Sequence, residues 1–350
     1  MSCVPQMKLY FEDFLKEVRL NKEQRDALIS AHLELRRRLI EDETLSEIVI
    51  DTFLEGSYKR STAIKPAADE KSDVDVIVVT NIDEKQYSPK ETLEIFRPFL
   101  EKNYQGLYEQ QGRSWGIKFN DADVDMVPTS APSEASKALL KNLPLALTDD
   151  IEAMTAHGSE ESDGWKSEPL RIPDRDANVW EDTDPLSQIE WTRKKNELCH
   201  GHYVNVVKCI KWWWRSKHPD KKYPKGYPLE HLVGDCCPDG IESVAEGVVK
   251  SFKGIVNLGE NKPFLKDRGL SDNDVMSRVS QEDYSKFYFV VQDAAITARE
   301  AFDADNDYEA SKKWRELFGE EFPLAPKPSE KVAFTTRVNK VSTLESARFA

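Results

Sequence analysis

Apolar residues recur at helical spacing between residues 8 and 42, at Leu9, Phe11, Phe14, Leu15 and Val18 and then at Leu28, Leu35, Leu39 and Ile40, which predicts helix there. IVIDTFLEGS (48–57) reads as a strand ending in a turn at Gly56, where the missing Cβ permits tight backbone geometry. DVDVIVVT (73–80) reads as a second strand between polar flanks, and a helix follows near 90–103. RSWGIKF (113–119) and DVDMVPT (123–129), separated by Asn120–Asp121, read as a hairpin. From about 149 to 186 the chain turns acidic and rich in Ser, Gly and Pro, the pattern of a long surface excursion. Helical patterning resumes over 185–217, 227–252 and 281–304, and KKWRELFGEEFP ends the folded part. This predicts an α+β chain: a strand-rich lobe over 1–170 with a long N-terminal helix, a helical lobe over 171–323, a mobile tail over 324–350, and a cleft between the two lobes.

Composition narrows the class. The chain has 350 residues, 39% hydrophobic and 32% charged, an ordinary globular balance. No window holds the eighteen or so apolar residues of a membrane span, and MSCVPQMKLYFEDFLKE lacks the basic start and apolar core of a secretory signal. Five irregularly spaced cysteines fit a reducing cytoplasm better than a disulfide framework. The net charge is −14, and because the last 25 residues carry five Lys/Arg against two Glu, the body holds about −17. That argues against electrostatic grip on long nucleic acid, while nucleotides remain accessible to a local cation cluster with a divalent metal.

The candidate chemistry lies in GSYKRSTAIKPAADEKSDVDVIVVT (56–80). Residues i and i+2 of a strand share a face, so Asp73 and Asp75 present their carboxylates side by side at the mouth of an apolar strand. Two bare anions that close repel, and a pair of hard divalent cations, Mg²⁺ (two ions) or alternatively Mn²⁺, removes the conflict. The same D-x-D recurs at Asp123 and Asp125 on the next apolar strand. Asp125, inside the apolar run, is the candidate third ligand, and Asp123 lies nearer the turn. Three carboxylates around two ions serve in-line nucleotidyl transfer. Gly56 and Ser57 offer backbone N–H groups and a hydroxyl to a phosphate chain.

The pattern GS…DVDV…VDMVP resembles the polymerase-β-like nucleotidyltransferases. Its extended form LEGSYKRSTAIKP…SDVDVIVV…ADVDMVPTS, continued through YVNVVKCIKWWWR, GYPLEHLV and WRELFGEEFP, resembles the bacterial cyclic oligonucleotide synthases over most of residues 30–323. The resemblance implies a polymerase-β-like lobe completed by a helical lobe. It also implies a template-independent enzyme that makes a cyclic di- or trinucleotide from nucleoside triphosphates, with a role in antiphage signalling through a separate effector. It assigns Lys211 to the triphosphate. A serine of the family pattern is replaced here by Gly226, so a backbone N–H or Lys225 takes that contact. In some relatives a ubiquitin-transfer-like enzyme conjugates the C-terminus, and a small last residue, Ala350, is compatible with that.

Two rival readings stay open at this level. One is transfer of a nucleotide to an RNA, protein or small-molecule acceptor, and the acidic body disfavours a large RNA. The other is a nucleotide-binding regulator, against which the complete Asp set speaks. Cys199, His200, His202, His231, Cys236 and Cys237 do not match a closed zinc site, so they read as buried thiols and helix-surface histidines. Trp212–Trp214 read as packing, and a Thr or Asp before Pro185 as the cap of the following helix.

Overall fold

In the computed structural model the described residues are 7–67, 70–132, 169–220, 223–270 and 272–328. The helix expected over 8–42 is two helices, α1 (Lys8–Val18) and α2 (Lys22–Glu41). Asn21 divides them: its side chain accepts from the Gln24 N–H, and the Gln24 side chain accepts from the Asn21 N–H, which satisfies the free donors of a new helix start. The break sends the two helices into different cores.

The first core is built on a five-stranded sheet of β1 (Val49–Glu55), β2 (Ser72–Thr80), β3 (Tyr108–Gln110), β4 (Trp115–Lys118) and β5 (Ala122–Pro128), in the order β1-β2-β5-β4-β3. β2 and β5 run parallel and the other pairs antiparallel. A short helical turn, α3 (Gly56–Lys59), leaves β1. The predicted helix near 90–103 is α4 (Pro89–Ile95) and α5 (Arg97–Tyr104), the second opening on Pro98. The odd-numbered side of each D-x-D strand faces away from this core. The alternate residues Val74, Val76, Val78, Val124 and Met126 are buried against Leu28, Leu35 and Leu39 of α2.

The second core is helical: α6 (Pro185–Leu198), α7 (Tyr203–Lys217), α8 (Gly226–Cys236), α9 (Val244–Leu258), α10 (Gln281–Phe302) and α11 (Asp307–Phe318). α1 belongs to it, since Phe11 packs edge-on to Trp314 at 5.0 Å and Phe14 stacks on Phe318 at 4.7 Å. The helix expected over 185–217 is broken at His200 and Gly201, both left-handed (φ 52° and 79°). That over 227–252 is broken before Ser243, which caps α9 by accepting from the Glu246 N–H. Trp212, Trp213 and Trp214 are packing residues, as expected.

Of the surface excursion expected over about 149–186, residues 149–168 lie outside the described residues, and the remainder holds a hairpin, β6 (Leu170–Asp174) and β7 (Val179–Thr183). Asp184 then caps α6 by accepting from the Ser187 N–H, with Pro185 in the first turn. Packing runs slightly past Pro323, since Ala325 is buried and its N–H donates to Ser311 Oγ. Ala350 lies outside the described residues. Among the described residues no helix is long and apolar enough to cross a membrane.

Candidate active site

Parallel pairing of β2 and β5 sets Asp73 beside Asp123 and Asp75 beside Asp125, while β1 sets Glu55 on the other flank of Asp75. The result is a row of acidic side chains across three strands, at their shared solvent end. Asp75 is raised well above the usual carboxylate range by burial, then by the charges of Glu55, Asp73 and Asp125. Asp125 is pushed up to about 6 by burial and by Asp73, against a hydrogen bond that Gln111 Nε2 donates to its Oδ1 at 2.9 Å. Among the described residues no three His, Cys, Asp or Glu side chains already form a closed metal cage. The donor set nonetheless fits hard cations: it is all oxygen, anionic, half-buried and mutually repelling, so bound positive charge relieves what burial alone makes costly.

Gly56 is part of the same construction. Its φ of 76° is left-handed, and a Cβ there would sit 1.7 Å from Asp75 Oδ2. The turn that carries Ser57 can therefore press against the acidic row only because residue 56 has no side chain. The Ser57 carbonyl accepts from the N–H groups of Thr62 and Ala63, which locks the turn.

A cleft of about 1560 Å³ opens over this row, and Gly56, Ser57, Asp73, Asp75, Lys211 and Lys225 all line it. Asp125 stands next to Asp75 on β5, turned toward Gln111. Lys211 comes from α7 on the opposite wall, its Nζ paired with Glu230 Oε1 at 2.8 Å. Lys225 stands at the start of α8 with no side-chain cap, so no capping side chain claims the N–H groups of Gly226 and Tyr227, both residues of the cleft lining. A Cβ on Gly226 would lie 3.8 Å from Lys211 Nζ, an ordinary contact that shows how closely the ammonium approaches this helix end. The cleft also takes in Trp180 and Thr183 of the β6–β7 hairpin.

Lys208 does not share Lys211's exposure. It is buried, and burial with the nearby charges of Arg19 and Lys211 lowers its ammonium to about 7. His231, expected on a helix surface, is buried with its ring edge-on to Tyr227 at 5.7 Å.

Sequence reasoning missed Glu55, Arg60 and Glu230. Arg60 is 4% exposed, donating from Nη1 to Glu55 Oε1 at 2.6 Å and from Nε to Glu230 Oε2 at 3.2 Å, with its guanidinium over the Tyr227 ring at 4.9 Å. Burial works against its charge, but the two carboxylates outweigh that and hold it above its ordinary range. Glu230 is likewise pushed up by burial and brought down to about 2 by Lys211 and Arg60. The signal available for Glu55 was its place directly before Gly56 at a strand end; for the other two there was none in local pattern.

A family model described as the second messenger oligonucleotide or dinucleotide synthetase domain matches residues 6–138. A cyclic AMP-AMP-GMP synthase of Enterobacter hormaechei subsp. hoffmannii is 39% identical over 97% of this chain and 98% of its own length. A probable cyclic AMP-AMP-GMP nucleotide synthase of Salmonella paratyphi B is 37% identical over the same shares. A solved Vibrio cholerae di-nucleotide cyclase mutant in complex with ATP and GTP superposes with a TM-score of 0.67 at 14% identity, over 90% of this chain and 96% of that one, and so shares the fold.

Proposed function

The chain belongs to the bacterial cyclic oligonucleotide synthases, nucleotidyltransferases that close nucleoside triphosphates into cyclic di- or trinucleotides, and on that premise we propose that it makes a cyclic trinucleotide from two adenylates and one guanylate. The observation that carries the chemistry is the acidic row beside Gly56–Ser57, facing Lys211 across one cleft. The ring composition is supported by the names of the two relatives aligned over nearly all of both chains. A volume of about 1560 Å³ also exceeds the ~300–1,000 Å³ of ordinary small-ligand pockets, leaving room for more than one nucleotide.

Asp73, Asp75 and Asp125 are the residues that would hold divalent cations, two Mg²⁺ or Mn²⁺; when bound, these would supply activation of the attacking hydroxyl and offset charge on the triphosphate and leaving pyrophosphate. The Gly56–Ser57 turn offers backbone N–H groups and a hydroxyl to the triphosphate. From the other wall Lys211, Lys225 and the α8 N-terminus present positive charge to it. A ribose hydroxyl held over the row attacks the α-phosphate in line, pyrophosphate leaves, and the linear intermediate rebinds with its ends exchanged for closure. Trp180 and Thr183, which line the cleft, would face a base on this reading. In the cell we place the enzyme in the cytoplasm, in antiphage defence, where its product activates a separate effector.

Incubation with the four ribonucleoside triphosphates and Mg²⁺, then phosphatase and mass spectrometry, tests the reading, with Asp73→Asn/Asp75→Asn as control. A phosphatase-resistant species with two adenylates and one guanylate, absent from the control, is expected. A cyclic dinucleotide would overturn the ring size, and linear products alone would overturn cyclisation.

A further inference from the structure

Lys211 does not reach into the cleft as a free cation. Its Nζ rests 2.8 Å from Glu230 Oε1, and Glu230, fully enclosed on α8, gives its other oxygen to Arg60 Nε at 3.2 Å. Arg60 is carried by the turn after α3 and spends a second nitrogen on Glu55, the β1 residue paired with Asp75. Two carboxylates and two cations thus form an unbroken chain across the cleft floor. It begins beside the acidic row, crosses from the sheet lobe to the helical lobe, and ends on the lysine. The crossing is a single planar guanidinium with one edge on each lobe, a geometry that a lysine ammonium cannot reproduce. The Thr62 hydroxyl donates to the Ser57 carbonyl at 3.3 Å and so helps to hold the turn that carries Arg60.

From this arrangement we infer that Glu230 and Arg60 are positioning residues for the nucleotidyl transfer. Glu230 holds the Lys211 ammonium at a fixed place before nucleotide arrives, and Arg60 ties that place to the turn carrying Gly56 and Ser57. The inference rests on the reading of Lys211 as a triphosphate contact. Its content is that the two phosphate-binding walls are registered to one another by one ion chain. Small losses of reach are costly in such sites, because the benefit of a prepositioned charge depends on its distance to the reacting group. An ordinary structural ion pair would stabilise the molecule without distinguishing Lys211 from any other residue.

A double-mutant cycle on the full-length enzyme separates the two. Steady-state rates against ATP concentration are measured for Glu230→Gln, Lys211→Ala and the double variant, with thermal midpoints for each. The expected result is a rise of about tenfold in KM for ATP with Glu230→Gln, collapsing to less than about twofold when Lys211 is already alanine, while the midpoints report separately the ion pair's own coupling in stability. Equal effects on KM in both backgrounds, or no effect in either, would overturn the inference. An unchanged KM in Lys211→Ala alone would instead overturn the reading of Lys211 on which it rests. Arg60→Lys, which keeps the buried charge, serves if Glu230→Gln does not fold: it is expected to raise KM in the same direction, and a wild-type KM there would overturn the bridging role.

Discussion

A methyl group added at position 56 would meet Asp75 Oδ2 at 1.7 Å in a backbone conformation that already disfavours L side chains. Relief requires either the turn or the carboxylate to move, and both belong to the site. Gly56→Ala is therefore expected to lower kcat/KM by roughly a hundredfold or more, about 2.7 kcal/mol of transition-state stabilisation, which steady-state assay of purified protein reads directly. The choice between the two aspartates of β5 is tested the same way. Asp125→Asn should abolish detectable product, whereas Asp123→Asn, beside Asp73 at the strand start, should stay within about fivefold of wild type. A third residue-scale expectation concerns acid. Burial lowers His32, enclosed on α2, to about 4, so the folded state binds fewer protons than the unfolded chain between there and the ordinary histidine value. The stabilisation is complete above about pH 6.5 and is lost as pH falls toward 4, with roughly 2 kcal/mol gone by pH 5. His231, lowered to about 4 by burial and by Arg268, acts in the same direction. Urea unfolding at pH 7, 6 and 5 should show the decline, and His32→Gln should flatten part of it.

Among the elements, the β6–β7 hairpin shows where local pattern stops informing. Leu170–Asp174 and Val179–Thr183 have little apolar alternation, and the hairpin is secured by charge: buried Asp174 accepts from Arg113 Nε of the sheet lobe at 3.0 Å and lies 3.5 Å from Arg278 Nη2 of the helical lobe. Those partners are distant in sequence, so hydrophobic periodicity reported only an acidic stretch. Asp174→Ala should cost about 1–3 kcal/mol, moderated because both arginines reach solvent, and should raise KM for nucleotide by loosening the wall that carries Trp180. Equilibrium unfolding and kinetics together check it. The acidic row was legible because strand alternation is a two-residue rule and the D-x-D pairs interrupt apolar runs. Gly56 was legible because a strand stopped there. Arg60 and Glu230 were not, since their pairing spans 170 residues and no short window contains both. Helix breaks at Asn21 and Gly201 were missed for a different reason: the apolar spacing continues on either side, and only the cap or the left-handed φ shows the interruption.

Over the whole molecule, the two cores meet around one cleft, and on the proposed reading Lys211, Lys225 and bound cations would reverse the local sign of an acidic surface for small anionic substrates. α1 ties the helical core to a segment far away in the chain. Phe11 packs on Trp314, Phe318 and Phe322, and truncating it to alanine should cost about 3–5 kcal/mol, read by chemical denaturation. That same embrace has a meaning for the birth of the protein. Ribosomes add about 5–20 residues each second, so on the order of 15–60 s separates the emergence of Phe11 from that of Trp314. During that interval α2 and the strands can already gather over their own core, while Phe11 and Phe14 of α1 still lack their aromatic partners. A helix made early in the chain is thus among the last to be fully packed, and the nascent chain carries its aromatic face partly uncovered until Trp314 and Phe318 emerge.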